Sequence, residues 1–217
     1  MQNNIHDVTS IPEIAKYILL TEIQVLPQDL ALAVECWRKS KVFGKTNSVL
    51  YSYENNLLEI MAIEDLSDLQ QIFLQQEGVF QNEMKKIMLS DWKKQLLSLK
   101  EIVKPHSTNI PMSKYLQLRH IEVPAMVYPE YLEWRRNTIF KHILNHDEVE
   151  SFTAYHSEFS TEPGVMFFSG FNSDVDEYSA IFKKQEYLNI IQEAGNKYIA
   201  GGKDCLYTKI YTKVDIS

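Results

Sequence analysis

Lys16-Tyr17-Ile18-Leu19-Leu20-Thr21-Glu22-Ile23-Gln24-Val25 is answered 98 positions later by Lys114-Tyr115-Leu116-Gln117-Leu118-Arg119-His120-Ile121-Glu122-Val123. Lys, Tyr, Leu, Ile and Val are unchanged between the two. A second block follows in the same order: Cys36-Trp37-Arg38-Lys39-Ser40-Lys41-Val42-Phe43 lies over Glu133-Trp134-Arg135-Arg136-Asn137-Thr138-Ile139-Phe140, with Trp, Arg and Phe kept. The third sets Asp65-Leu66-Ser67-Asp68-Leu69-Gln70-Gln71-Ile72-Phe73 over Asp174-Val175-Asp176-Glu177-Tyr178-Ser179-Ala180-Ile181-Phe182 at the larger offset of 109, so the second copy carries an insertion before it. Three colinear matches identify an internal repeat, and self-similarity of this kind decides the architecture before any single element does.

Hydrophobic period reads alike in both copies. The first block alternates and is partly β-branched, which predicts a strand; the stretches after Pro27 and Pro129 carry apolar residues at helical spacing, as in Leu30, Ala33, Val34 and Trp37. Strands are expected at 48–53 and 57–62, and again at 151–159 and 165–171, joined through Asn55-Asn56 and through Thr161-Glu162-Pro163-Gly164. A second helix follows each hairpin, with Asp65 and Asp174 placed to cap it. Closing strands are expected at 96–103 and 206–214. Each copy thus reads β-α-β-β-α-β, a ferredoxin-like unit. The prolines and small polar residues of Lys104-Pro105-His106-Ser107-Thr108-Asn109-Ile110-Pro111 mark the join. The expected division is a first repeat at 1–105, a linker at 106–113 and a second repeat at 114–217. Both helices of such a unit lie on one sheet face, so the other face needs a partner, and the second copy supplies it. The expected fold is α+β: two tandem ferredoxin-like repeats packed sheet to sheet as an intramolecular pseudo-dimeric α/β barrel.

Composition bounds the function. The 217 residues are 45% hydrophobic and 24% charged, as expected of a globular chain able to bury a core. With 29 acidic against 22 basic residues the net charge is −7, which disfavours nucleic acid and anionic membranes as partners. Cys36 and Cys205 show no zinc or disulfide spacing, the first residues lack a basic and an apolar signal region, and no run of apolar residues is long enough to span a membrane. A soluble cytoplasmic protein is expected, with assembly into a homo-oligomer left open. Neither a G-x-G-x-x-G nor a P-loop pattern occurs, and Gly201-Gly202 reads as a turn.

Element order and the Ile-x-Val strand ending before a Pro-led helix, Ile23-Gln24-Val25 and Ile121-Glu122-Val123, resemble the dimeric α/β-barrel superfamily over nearly the whole chain. That group includes antibiotic-biosynthesis-monooxygenase-like and NIPSNAP-like domains. The resemblance implies a ferredoxin-like barrel whose members include oxygenases, heme enzymes, isomerases and binding modules. In its heme-degrading members a polar Asn late in the first strand and a His in or near the second helix serve the heme. The matching places here hold Ile23 or Ile121 and helices without His, which argues against heme degradation by that route. No cofactor is therefore expected, with heme left open, and cofactor-free oxygenation of an electron-rich aromatic substrate fits the resemblance.

Positions that differ between copies are where one half could keep a site. Thr21 and Glu22 become Arg119 and His120. Alternation sends Tyr115, Gln117 and Arg119 to one face, and His120 with Leu116 and Leu118 to the other. If the helix side holds the pocket, Tyr115 and Gln117 bind substrate and Arg119 orients a carboxylate or enolate bidentately. On the other face the pseudo-twofold offers Glu22 an approach to His120, the plainer reading being a strand-end pair that is merely solvated or hydrogen-bonded. Arg119, His120, Tyr155 and His156 are the candidate catalytic residues, with Trp134 a further substrate contact, although Trp37 and Trp134 read first as core. His142, His146 and His156 match no metal-ligand spacing, and no metal is expected. Two functions remain: a small-molecule, monooxygenase-like enzyme acting on an apolar or aromatic substrate, or a non-catalytic module binding an apolar ligand or another protein.

Overall fold

The structure is a computed structural model and describes residues 13–40, 47–76, 79–160, 164–205 and 207–215. The first half runs β1 (Tyr17–Gln24), α1 (Leu30–Arg38), β2 (Ser48–Tyr53), β3 (Asn56–Ile63), α2 (Asp68–Gln76), α3 (Val79–Met84) and β4 (Lys93–Lys104). The second runs β5 (Tyr115–Ile121), α4 (Tyr128–Asn137), α5 (Ile139–Leu144), β6 (Ser151–Phe159), β7 (Val165–Phe171), α6 (Val175–Ile181), α7 (Gln185–Lys197) and β8 (Tyr207–Lys213). Short 3-10 turns at Pro27–Asp29 and Ala125–Val127 lead into α1 and α4.

The strands close a barrel in the order β1-β3-β2-β8-β5-β7-β6-β4, every neighbouring pair antiparallel. Each half contributes four consecutive strands, β4-β1-β3-β2 and β8-β5-β7-β6, in equivalent order. The expected α+β barrel of ferredoxin-like halves is the fold observed. The halves join at sheet edges, which leaves no strand unpaired. The two seams are unequal. β2 and β8 pair only through Tyr51↔Lys213 and Ser52↔Thr212, whereas β4 and β6 pair from Leu96↔Phe159 to Lys104↔Phe152 with three register shifts.

Period-two alternation builds two layers. Ile18, Leu20, Leu58, Ile60, Leu116, Leu118, Tyr155, Phe168 and Tyr211 fill the barrel interior. Outside it, Ile121, Phe152, Ala154, Phe167 and Phe171 pack under Tyr131, Ile139, Phe140, Tyr178 and Ile181 of the second half's helices. In the first half Ile23, Leu50 and Leu57 pack under Ala33 and Trp37 of α1 and Met84 of α3. The segment between β4 and β5 packs against the barrel: Ile110 is fully buried in the interior cluster, and Tyr51 Oη donates to the Ser113 carbonyl at 2.9 Å.

The helices are more broken than their periodicity suggests. The helix after Pro129 stops at Thr138 (φ −122°, ψ −78°), whose hydroxyl donates to the Trp134 carbonyl at 2.7 Å and competes with the regular ladder. Two helices, not one, follow each hairpin. Asp174 caps α6 as expected, its Oδ1 accepting from the amide of Asp176 at 2.8 Å. Asp65 instead accepts from the Ser67 amide and closes a turn, so that α2 begins only at Asp68. Asp174→Ala should cost about 1 kcal/mol in urea unfolding, and Asp65→Ala less; an equal loss at both would contradict the capping assignment.

Candidate functional site

Gln117 and Arg119 leave β5 on the helix side and line a cleft between the sheet and the second half's helices. Phe152 and Phe167 form its floor, Ile139 of α5 one wall, and Phe182 with Tyr187, at the corner between α6 and α7, the cover. The space left for the centre of a water molecule is about 10 Å³, the size of one water. A larger ligand enters only by displacing the Phe182–Tyr187 corner.

Arg119 is held from several sides. Its Nε donates to Thr208 Oγ1 at 3.1 Å, its Nη1 donates to Tyr187 Oη, and its Cζ lies 5.4 Å from the ring centroids of both Phe182 and Tyr187. Cation–π contact and two hydrogen bonds fix the fork but do not neutralise it. Among the described residues no carboxylate forms an ion pair with Arg119. Burial lowers the guanidinium pKa from its ordinary value, and an arginine remains charged even so. Beside it Tyr178 Oη is bonded to Ser169 Oγ at 2.7 Å and lies 3.2 Å from Gln117 Oε1, which fixes the amide of Gln117.

The first half shows why the cleft is there and not here twice. In the second half Arg119 stands beside Phe167 of β7 and Thr208 of β8. At the equivalent places Thr21 stands beside Glu59 of β3 and Lys94 of β4. The first half therefore carries a carboxyl group of its own, Glu59, which is 2% exposed, and Trp37 fills the space above at 1% exposed. The second half leaves a cation without an anion.

The other candidate residues separate by strand parity. Tyr155 lies in the barrel interior, donating to the Ala15 carbonyl at 3.0 Å and packing on Phe168. His156 points to the opposite face, with Nδ1 3.0 Å from the Ser157 carbonyl and its ring against Tyr128. His120 is on the interior side, its Nε2 buried without a partner. Glu22, which the sequence offered as a neighbour of His120, is hydrogen-bonded elsewhere: its Oε1 accepts from Lys209 Nζ at 2.7 Å and from Tyr211 Oη at 2.9 Å. Tyr115 stacks on Phe171, and Trp134 packs on Tyr131 and Tyr198; neither lines the cleft. Of the residues singled out from sequence, Gln117 and Arg119 are the ones the cleft brings together. Phe182 and Tyr187 were not singled out, although Phe182 ends the third repeat block.

Heme does not fit this cleft. Among the described residues no His, Cys or Met lines it to serve as an axial ligand, and the one tyrosine there, Tyr187, has its hydroxyl bonded to the Arg119 guanidinium. Among the described residues, no helix is long and apolar enough to cross a membrane.

The closed eight-stranded barrel of two ferredoxin-like halves is the dimeric α/β-barrel fold, built here from one chain. A crystal structure described as an anthrone oxidase-like protein superposes with a TM-score of 0.69 at 12% identity, covering 94% of this chain and 95% of its own. A ferredoxin-fold protein from Listeria monocytogenes, related to antibiotic biosynthesis monooxygenases, gives 0.52 at 10% over 93% and 96%. The heme-degrading enzyme of Listeria monocytogenes gives 0.53 at 10% over 91% and 99%. Identities this low establish the fold and not the chemistry. No family model matches the chain, and no curated protein matches it in sequence.

Proposed function

We propose that the chain binds a small apolar or aromatic anion in the second half's cleft and acts as a cofactor-independent, monooxygenase-like enzyme. The observation that carries this reading is Arg119, a guanidinium fixed at the edge of an aromatic cleft and, among the described residues, paired with no carboxylate. Such a group stabilises the ionised oxygen of a phenol or enol and lowers its pKa, and an electron-rich anion of that kind is what dioxygen oxidises without a metal. The aromatic floor and cover exclude water and orient the ring. The competing reading, a non-catalytic ligand-binding module, is favoured by one feature: among the described residues no carboxylate or imidazole lines the cleft to serve as a base.

Anthrone separates the two readings, since its enol ionises at a single oxygen. Oxygen uptake above the protein-free rate, lost in Arg119→Met, is the expected result. Arg119→Met should also weaken binding of an aromatic carboxylate such as 2-naphthoate roughly ten- to hundredfold, the worth of a charge-assisted hydrogen bond. Binding that depends on Arg119 without oxygen uptake would leave the module and remove the enzyme.

A further inference from the structure

His142 and His146 stand one helical turn apart behind the cover of the cleft. His142 is 4% exposed, and its ring centroid lies 4.6 Å from that of His146, 4.9 Å from that of Tyr187 and 6.5 Å from that of Phe182. Tyr187 and Phe182 are also the rings that receive the Arg119 guanidinium. The cover is therefore shared between a fixed cation and an imidazole. Among the described residues the two histidines gather no third ligand for a metal.

The imidazole is held as a neutral base. It bonds to the Ile181 backbone, and its Nε2 is buried without a partner. The bond to the carbonyl falls to Nδ1, which carries the proton and leaves Nε2 a bare lone pair. A proton added at Nε2 would meet neither acceptor nor water. Burial is the main cause that pushes this imidazole below its ordinary range, and the charges of His146 and Lys184 add to it; Glu186 and the Ile181 bond act the other way and are outweighed. Glu148 faces His146, 3.4 Å from its Nδ1, and Arg119 on β5 is a further cation against the same two rings.

The corner between α6 and α7 is lightly fixed. Lys184 stands at the N-cap of α7 in an extended conformation (φ −65°, ψ 144°), and its side chain makes no capping bond. It places a cation at the positive end of the helix dipole. Ring packing of Phe182 on Tyr187 and the bond from Arg119 to Tyr187 Oη hold the corner down. Lifting it admits water to Nε2, and the imidazole then recovers its ordinary affinity for a proton. Protons thus favour the open corner, and a fall in pH through the ordinary histidine range shifts the population toward it.

We infer that His142 is an acid-operated latch on the cleft: protonation of its buried imidazole releases the Phe182–Tyr187 corner and admits the anionic ligand, and entry of the ligand in turn draws a proton onto His142. The coupling to ligand rests on the reading of Arg119 given above; the movement of the corner does not. Linkage makes the two halves one statement, since whatever acid does for ligand entry the ligand does for proton uptake.

The first test needs no ligand. Hydrogen–deuterium exchange of the full chain reads the first turn of α7, where the Leu188 amide donates to the Lys184 carbonyl at 3.1 Å. After correction for the intrinsic pH dependence of exchange, protection there should fall at least about fivefold from pH 7.5 to pH 5.5, the low end of ordinary coupling between two sites. His142→Asn, whose amide can still donate to the Ile181 carbonyl, and His142→Phe, which keeps the ring packing, should both lose that dependence. Protection that is level in the wild type, or that falls equally in both variants, overturns the latch. The second test titrates 2-naphthoate calorimetrically at pH 6 in two buffers of different ionisation heat. The wild type should take up a fraction of a proton per ligand bound and both variants none; binding without uptake in the wild type overturns the coupling. Failure of 2-naphthoate to bind removes the reading of Arg119, and the exchange experiment then decides the latch by itself.

Discussion

Glu101→Ala lowers the free energy of unfolding by about 3–5 kcal/mol, more than loss of its partner Arg135 does. The asymmetry follows from where the two ends of the pair sit. Arg135 is completely buried on α4, with Nε donating to Glu101 Oε2 at 2.8 Å and Nη2 donating to the same oxygen. Removing Glu101 leaves a charged guanidinium in an apolar layer, with the rings of Tyr131, Phe140 and Phe167 at 5.3–5.9 Å but no carboxylate on its own side to receive it. Those faces recover a fraction of the lost solvation. Arg135→Met is gentler: Glu101 keeps Arg136, whose side chain is 57% exposed, and has water at hand, being itself 17% exposed. Urea unfolding of the two single variants and the double variant measures this. The double variant should recover part of the Glu101→Ala loss, because no unpaired charge remains. Equal losses in the two single variants would show that the pair, and not the stranded cation, sets the cost. Glu101 belongs to β4 and Arg135 to the other half, so the pair also pins the longer of the two seams that close the barrel.

The barrel was legible because its signals are local. The strands expected at 48–53, 151–159 and 165–171 match β2, β6 and β7 residue for residue, since alternation and the flanking turns define them without help from the rest of the chain. Arg119 was legible because the repeat sets it against Thr21. What stayed hidden depends on packing between distant segments. Glu101, in Lys100-Glu101-Ile102, has the alternation of a solvated strand, and nothing near it in sequence says that a buried arginine on another half will meet it. Tyr187 lies on a helix whose position over the cleft is decided by the break after Phe182. Tyr155 and His156, both candidates from the sequence, face opposite sides of β6, because adjacent strand residues point to opposite faces. The same rule separates Arg119 from His120.

Glu59→Gln raises stability above pH 7 by about 3 kcal/mol and leaves it little changed near pH 4.5. Burial pushes the Glu59 carboxyl up to about 7, against the hydrogen bonds of Trp37 and Ser48 and the charge of Lys94. Between pH 4.5 and 7 the unfolded chain has released this proton while the folded chain keeps it. The unfolded state then binds fewer protons, so stability falls as pH rises through that window and stays lower above it. His106 acts with the opposite sign. Burial beside Thr153 pushes its imidazole down to about 4, so its contribution is complete above pH 6.5 and is lost as pH falls toward 4. From pH 4.5 to 6.5 the two slopes oppose one another, and the wild-type profile is flattened there. Glutamine removes one of them and keeps the shape. Its carbonyl still accepts from Trp37 and Ser48, and its amide faces Thr21, whose buried hydroxyl stands beside position 59 without a partner. Urea midpoints between pH 4 and 8 should then rise steadily from pH 4 to 6.5 in the variant and level off, where the wild type turns down toward pH 7. Parallel profiles for the two proteins would mean that Glu59 is ionised in the fold throughout, with Lys94 outweighing the loss of water.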